Sequence, residues 1–386
     1  MRIALVNSMP PARHGIQKRL YPLALLKIGA WRKSLGDECK LYRRLPDAGE
    51  VDEIWITTVF TFDIPYALGI VRESKNRADV VRVGGVSASL LPEYFEREGI
   101  QVHRGLLPEA EQFSPDWSLL NKKPEYSITH TSRGCIRKCR FCMVPRLEPG
   151  FQNRPAWRDD LFPGAKTVLF YDNNWLAKER DEWFSDVEEL RDIVKSNGVR
   201  TIDFNQGLDA RILTEEMADA LQGLPITPYR FAFDGKQEDK YYQQAIRMMA
   251  ERGVNKFVSY VLHNFMDTPE DFYYRLRASV ELTEELGVKV DSFPMRYQPI
   301  LTVDPKRGYV GKHWKSHQLK AFMGLLNHHS FGGTVSATTI KEFEYWFGEN
   351  EKEFVRLLNY PKIYELAKKR KGNLRLIRTR ARQNDR

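Results

Sequence analysis

The sequence predicts an α/β protein in three parts: a doubly wound parallel sheet, an open partial barrel of six strand–helix units, and a helical appendage. Three observations predict it. Short apolar runs alternate with amphipathic stretches over about the first 105 residues, as strands feeding helices in a parallel sheet do. A polar, Pro-containing connection from Glu109 to Lys123 interrupts the pattern, and a second alternating series follows it. After Asp304 the alternation stops and long helical patterns take over. The expected domains are therefore 1–115, 116–305 and 306–386.

In the first domain, "RIALV" reads as a strand and Pro22 to Gly36 as an amphipathic helix, followed by "CKLY". "EIWITTV", "IPYALGIVRESK", "DVVRVGG", a short helix around "LLPEYFERE" and "IQVHRG" continue the series. Ligands of such Rossmann-like sheets bind where the strands end. That selects "NSMPPARHG" with Ser8, "TTVFTFD" with Thr58, and "GGVSAS" with Gly84, Gly85 and Ser87. In the second series the strands are "EYSITHTS", "KTVLFYDNN", "RTIDFNQ", "YRFAFD", "KFVSYVLHN" and "VDSFPMRY", with helices between them. Six units are too few for a closed eight-fold barrel, so a partial (β/α)6 TIM-type barrel is expected, with its chemistry at the strand ends. "SHQLKAFMGLLNHH" and the stretch from Thr339 onward make up the helical C-terminal region.

Composition, at 42% hydrophobic and 29% charged, is that of a globular protein, and no apolar run approaches the ~20 residues that span a bilayer. The N-terminus has no signal-peptide pattern, so a cytoplasmic setting is expected, where clustered cysteines bind metal or do redox chemistry rather than form disulfides. Eight of the nine net positive charges fall in the last nineteen residues, "KKRKGNLRLIRTRARQNDR". Such a tail attracts phosphates and is a candidate RNA or DNA contact; a solvated end is the alternative. It lacks the interleaved aromatics of a single-strand platform.

Three of the four cysteines, Cys135, Cys139 and Cys142, lie within "CIRKCRFC" at a strand end, and the fourth, Cys39, belongs to the other domain. Thiolates suit zinc or iron–sulfur. Structural zinc prefers two ligand pairs; here His130 could complete a Cys3His site, but the paired spacing is missing. A four-iron cluster normally takes four cysteines, so three leave one iron open to a ligand. Cys39 starts a strand and reads as a core residue.

"RGCIRKCRFC" resembles the signature of the radical S-adenosylmethionine (SAM) superfamily, whose fold is also a partial barrel. The resemblance implies a [4Fe-4S] cluster on Cys135, Cys139 and Cys142 and SAM chelated to the open iron. It further implies reductive cleavage to a 5′-deoxyadenosyl radical that abstracts hydrogen from a substrate. The electron would come from a donor such as flavodoxin or ferredoxin. Phe141 would pack near the adenine, and Asp172, Asn173 and Asn174 are candidates for the SAM amino group, although the commoner Gly-Gly-Glu form is absent. Strand-end position adds Gln206, Asp209, Arg211 and Asp234 as SAM contacts and His263, Arg296 and Tyr297 as catalytic candidates. For Asp209 and Arg211 a capping or surface pair is the competing reading.

The first 115 residues, joined to such a barrel, resemble the cobalamin-binding module of the cobalamin-dependent subclass in "IALVNSMPP", "DEIWITTVFT" and "VVRVGGVSASLLPEY". No Asp-x-His-x-x-Gly stretch supplies a histidine ligand to cobalt, and members of the subclass often lack one. Methylthiotransferases differ in carrying three further N-terminal cysteines, and auxiliary-cluster extensions need cysteines beyond Cys142, which the chain lacks. Methylation through a cysteine-bound methyl group, as in the ribosomal-RNA methylases, needs two more. The leading expectation is cobalamin-assisted methylation or rearrangement of an unactivated carbon. The alternatives are radical SAM chemistry without cobalamin and a metal-stabilised nucleic-acid-binding protein without catalysis.

Overall fold

The computed structural model describes residues 1–10, 21–47, 49–330 and 332–372. The loop residues 11–15 of "NSMPPARHG" and the basic tail beyond 372 lie outside the described residues. By contact the chain divides into two units. The first comprises Met1–Glu182, Glu188–Ile202 and Pro299–Arg307; the second comprises Trp183–Val187, Asp203–Gln298 and Gly308 onward.

In the first unit, strands β1 (Arg2–Asn7), β2 (Glu38–Tyr42), β3 (Glu53–Thr57), β4 (Val80–Gly84) and β5 (Gln101–Val102) form one sheet in the order β2-β1-β3-β4-β5. Every pairing is parallel. Period-two alternation gives β1 two apolar faces. Ile3 and Leu5 pack with Leu25, Leu26 and Ile28 of helix α1 (Leu23–Ser34), whereas Ala4 and Val6 pack with Ile64, Ala67 and Val71 of α2 (Ile64–Ser74). Helices thus cover both faces, and each fully buried aliphatic side chain contributes roughly 1.5–3 kcal/mol. Cys39 is buried in the α1-side core, as expected, and burial raises its thiol to about 11.

The order reverses between β1 and β3, so the connections leaving these two strands run to opposite faces of the sheet while their ends stay paired, Ser8 N–H donating to Thr57 O. Beyond β4, Gly85 has φ +93°, and a Cβ on it would lie 2.4 Å from Thr58 O, so only glycine lets helix α3 (Val86–Leu90) start so close to the end of β3.

The same unit carries β6 (Ser127–Thr129) beside β9 (Thr167–Phe170) in parallel. Arg200 and Thr201 donate their N–H groups to Lys166 O, which sets the start of β10 (Thr201–Phe204) against β9. Between β6 and β9 the chain forms an antiparallel hairpin of β7 (Ser132–Gly134) and β8 (Phe151–Asn153); the strand expected in "EYSITHTS" reaches only its first residue.

In the second unit β11 (Tyr229–Ala232), β12 (Lys256–His263) and β13 (Lys289–Arg296) are parallel, with β12 and β13 in register along all eight residues. A parallel bridge joins Leu208 to Phe231. The helix after β12, α4 (Pro269–Leu286), has both signals its "TPED" start announces: Thr268 Oγ1 accepts from Asp271 N–H, and Asp271 accepts from Thr268 N–H. Gly287 closes it with φ +66°. Helices α5 (Ser316–His329), α6 (Ile340–Phe347) and α7 (Glu351–Leu358) build an aromatic core on α4 from Phe272, Phe322, Phe343, Trp346, Phe347 and Phe354. No helix among the described residues is long and apolar enough to cross a membrane.

Candidate active site

The three clustered cysteines occupy the loop of the β7–β8 hairpin, and all three are half-buried free thiols. Gly134 permits the hairpin neck: it has φ +75°, and a Cβ there would fall 1.8 Å from Gly150 O. Beyond it, the Arg137 N–H donates to Cys135 Sγ at 3.3 Å and the Val144 N–H to Cys142 Sγ at 3.5 Å. Asn174 Nδ2 approaches Cys135 Sγ at 3.6 Å, and Cys142 N–H donates to Cys139 O at 3.1 Å. Donors of this kind stabilise thiolate and tune an iron–sulfur centre.

Among the described residues no three His, Cys, Asp or Glu side chains converge to hold a single metal ion. His130 is in any case engaged elsewhere, its Nε2 accepting from Arg133 Nη1 at 3.0 Å. Three soft thiols on one loop, two of them receiving backbone N–H groups, are a donor set that an iron–sulfur cluster takes.

Asp172 ends the segment after β9 and is fully buried. Its carboxylate accepts from Thr131 N–H (3.0 and 3.1 Å), Thr131 Oγ1 (2.8 Å) and Ser132 Oγ (2.6 Å), tying β9 to the turn that enters the cysteine hairpin. Burial nonetheless raises its pKa above the ordinary value. Asn173 Nδ2 donates to Glu148 Oε2 at 2.9 Å, and Glu148 also accepts from Gly134 N–H at 2.8 Å. Phe141 lies half-buried on the loop.

Glu148 belongs to a charged network that the sequence pattern does not reveal. Arg133 pairs with Glu148 at 3.2 Å and with Glu111 at 3.0 Å; Glu111 in turn pairs with Lys27 at 3.2 Å, a lysine almost wholly buried on α1. Burial lowers the Lys27 pKa. Burial pushes Glu111 up, but Arg133 and Lys27 outweigh it and hold the carboxyl below its usual range. Burial, then Arg133 and Lys27, drive His130 well below the imidazole range, so it is neutral. With Nε2 accepting, its proton sits on Nδ1, which has no partner among the described residues.

This network walls a cavity of about 230 Å³ in the first unit. The sheet's strand ends supply Thr57, Gly84 and Gly85, α1 supplies Ile28, and the cysteine side supplies His130 and Tyr171. Of the residues expected at a cobalamin site, Gly84 and Gly85 therefore reach this cavity. Ser8, Thr58 and Ser87 line a different, much smaller pocket of about 10 Å³. There Ser8 Oγ donates to Thr57 O and Thr58 Oγ1 to Gly84 O, so both hydroxyls brace strand ends, whereas Ser87 Oγ is buried with no partner among the described residues.

Comparison with solved structures bears on the fold. A radical SAM methyltransferase, TsrM from Kitasatospora setae with cobalamin and a [4Fe-4S] cluster bound, superposes with a TM-score of 0.57 at 14% identity, over 78% of this chain and 77% of that one. The chain shares its fold. A second structure of TsrM, with tryptophan substrate and a SAM analogue bound, matches at the same TM-score over 77% of this chain and 72% of the other. At this identity the likeness to a radical SAM methyltransferase is one of fold. No protein-family model matches the sequence, and no curated protein does.

The second unit holds the remaining sequence candidates. Arg211 Nε pairs with Asp209 at 2.6 Å and its Nη1 with Glu238 at 2.8 Å; Glu238 also accepts from Asp234 N–H at 3.1 Å. Asp209, Arg211 and Asp234 are thus brought together, with Glu238 as a partner the motif reading missed. Burial, then Glu238, raises Asp234 to about 7, against Arg275 and Arg211. Gln206 is exposed in the turn after β10.

Arg296 Nη2 donates to Tyr309 O at 2.8 Å, and the Tyr297 ring packs on Phe265 and Tyr309 at 4.7 and 5.4 Å. His263 is a correction. It is 1% exposed, stacked on Phe272 at 4.6 Å with Trp314 and Phe322 at 5.7 Å, and burial lowers it to about 3. Alternation along β12 puts it on the helix-facing side with Phe257, Ser259 and Val261, so it packs the core and is not open to a reactant.

Proposed function

We propose that this chain is a radical SAM enzyme of the cobalamin-dependent subclass, transferring methyl to, or rearranging, an unactivated carbon. The observation that carries the reading is the placement, within one unit, of a three-thiol hairpin and a cavity at the β3 and β4 ends of a sheet covered on both faces. In this reading residues 1–115 are the Rossmann-like cobalamin module, 116–305 the partial (β/α)6 barrel and 306–386 the helical region. The fold shared with a cobalamin-bound methyltransferase supports that assignment.

Cys135, Cys139 and Cys142 would hold a [4Fe-4S] cluster, which supplies the electron that cleaves SAM. Gly84, Gly85 and the apolar wall around Ile28 and Trp55 would receive part of a corrinoid. Asn173 and Asn174 would orient the SAM amino group, while Asp172 fixes the turn that presents the thiols. Phe141 would face the adenine. The Asp209–Arg211–Glu238–Asp234 group would bind the polar remainder of SAM or substrate, with Arg296 and Tyr297 as further substrate contacts.

Anaerobic reconstitution tests this directly. The wild type should bind about four irons and sulfides, show corrinoid bands when loaded with cobalamin, and release methionine or a demethylated product from SAM on reduction. A Cys135→Ala protein that still cleaves SAM would sink the proposal.

A further inference from the structure

The wall of the 230 Å³ cavity in the first unit carries a one-sided set of unmatched hydrogen-bonding groups. Three of its lining residues have a buried side-chain N–H with no partner among the described residues: Trp55 at Nε1, His130 at Nδ1 and Arg133 at Nε. No lining side chain leaves a buried acceptor in that state among the described residues. An unmatched buried donor is costly, so this wall is complementary to a ligand that brings acceptors.

His130, 7% exposed, is the donor whose chemical form the geometry fixes. A guanidinium has no lone pair to offer, so the 3.0 Å contact between Arg133 Nη1 and His130 Nε2 requires Nε2 to accept, which leaves the hydrogen of the neutral ring on Nδ1. Arg133 is itself held from two sides: its Nη2 donates to both oxygens of Glu111 at 3.0 and 3.1 Å, and its Nη1 to Glu148 at 3.2 Å. Lys27 and Arg133 balance the charges of Glu111 and Glu148, so the network has no surplus cation to compensate a buried anion.

We propose that the His130 Nδ1–H donates to an uncharged acceptor of the corrinoid, a carboxamide oxygen or a ring nitrogen, and that Arg133 is the positioning residue that sets this tautomer. The inference rests on the reading above, that this cavity receives part of a corrinoid, and adds which group of the wall reads it.

The test measures equilibrium binding of hydroxocobalamin and of cobinamide, which lacks the nucleotide, to the full chain by absorption titration. His130→Phe keeps a ring but no N–H, and should weaken cobalamin binding about tenfold. His130→Asn restores an N–H donor and should stay within about threefold of the wild type. Far-UV circular dichroism and iron content should match the wild type in both. Histidine 15N correlation spectra of the wild type should show His130 protonated at Nδ1. Arg133→Gln, whose amide oxygen can accept from Nε2–H, should shift that tautomer and weaken cobalamin. A loss of the same size with cobinamide would assign the acceptor to the corrin carboxamides, and a loss confined to cobalamin would assign it to the nucleotide.

Equal affinities of the wild type and His130→Phe for both corrinoids would overturn the inference, since the N–H would then be satisfied without the ligand. So would a wild-type spectrum with His130 protonated at Nε2 alone. A wild type that binds neither corrinoid would instead overturn the underlying cobalamin reading, and this outcome is recognisable before any variant is made.

Discussion

Replacing Asp172 by alanine should collapse the entrance to the cysteine hairpin. The carboxylate is buried and receives the Thr131 N–H and the hydroxyls of Thr131 and Ser132 at 2.6–3.1 Å. Alanine leaves three buried donors without that acceptor. At about 1–3 kcal/mol each, with the hydroxyls free to rotate toward other acceptors, the loss is roughly 3–5 kcal/mol. Relief of the desolvation that raises the Asp172 pKa offsets a part of it.

For a folding unit of roughly 200 residues this corresponds to a Tm lower by about 10 °C. Asp172→Asn keeps an oxygen for the Thr131 N–H and can donate to a hydroxyl, so its cost should be about 1 kcal/mol. The sign of the pH effect follows from the raised pKa. The folded state holds this proton more tightly than the unfolded chain, so Asp172 contributes stability at low pH that is lost as pH rises from about 4 through the folded value. Asp172→Asn should remove that slope. Thermal melts of the three proteins from pH 4 to 8, with iron content measured on each, decide the matter. An Asp172→Ala protein melting within about 2 °C of the wild type and retaining full iron would refute this account of the turn.

Other substitutions test other parts of the fold. Arg275 is fully buried and donates to Phe233 O, Leu262 O and Asp267; Arg275→Met should cost about 3–5 kcal/mol in chemical denaturation, since it strands Asp267. Asp234, raised to about 7, destabilises the folded state as pH rises from about 4 through 7, so Asp234→Asn should flatten the urea midpoint over that range. His263, lowered to about 3, contributes stability present above pH 6.5 and lost as pH falls from there toward 3. His263→Leu should therefore gain acid tolerance while turnover and SAM affinity stay as in the wild type. Gly134→Ala should prevent closure of the hairpin neck, seen as a loss of iron binding with far-UV circular dichroism little changed.

Much of the element order was legible from local pattern. The helix read from Pro22 to Gly36 is observed at Leu23–Ser34, and the strand in "DVVRVGG" at Val80–Gly84. Capping, period-two alternation and the 3.6-residue stripe act within a few residues, so one sequence window contains them. The β7–β8 hairpin escaped because its strands have three residues each and its loop is dominated by cysteines and cations, which carry no strand signal. His263 was misplaced for a related reason. A strand end marks where a residue lies along β12, but only the packing of α4 and α5 determines which face becomes core.

The sequence by itself determined the chemistry on offer: three thiols at fixed spacing, no fourth nearby in the sequence, and a glycine pair at a strand end. The tertiary structure decided what those groups meet. Lys27 and Glu111 are 84 residues apart, and Asp172 is 41 from Thr131. Each partner is a common residue in an unremarkable local context, and only long-range sheet registration and burial brought them together. Burial then converted ordinary side chains into a neutral imidazole at His130, a partly buried ion-pair chain from Lys27 to Glu148, and a carboxylate that holds the thiol loop in place.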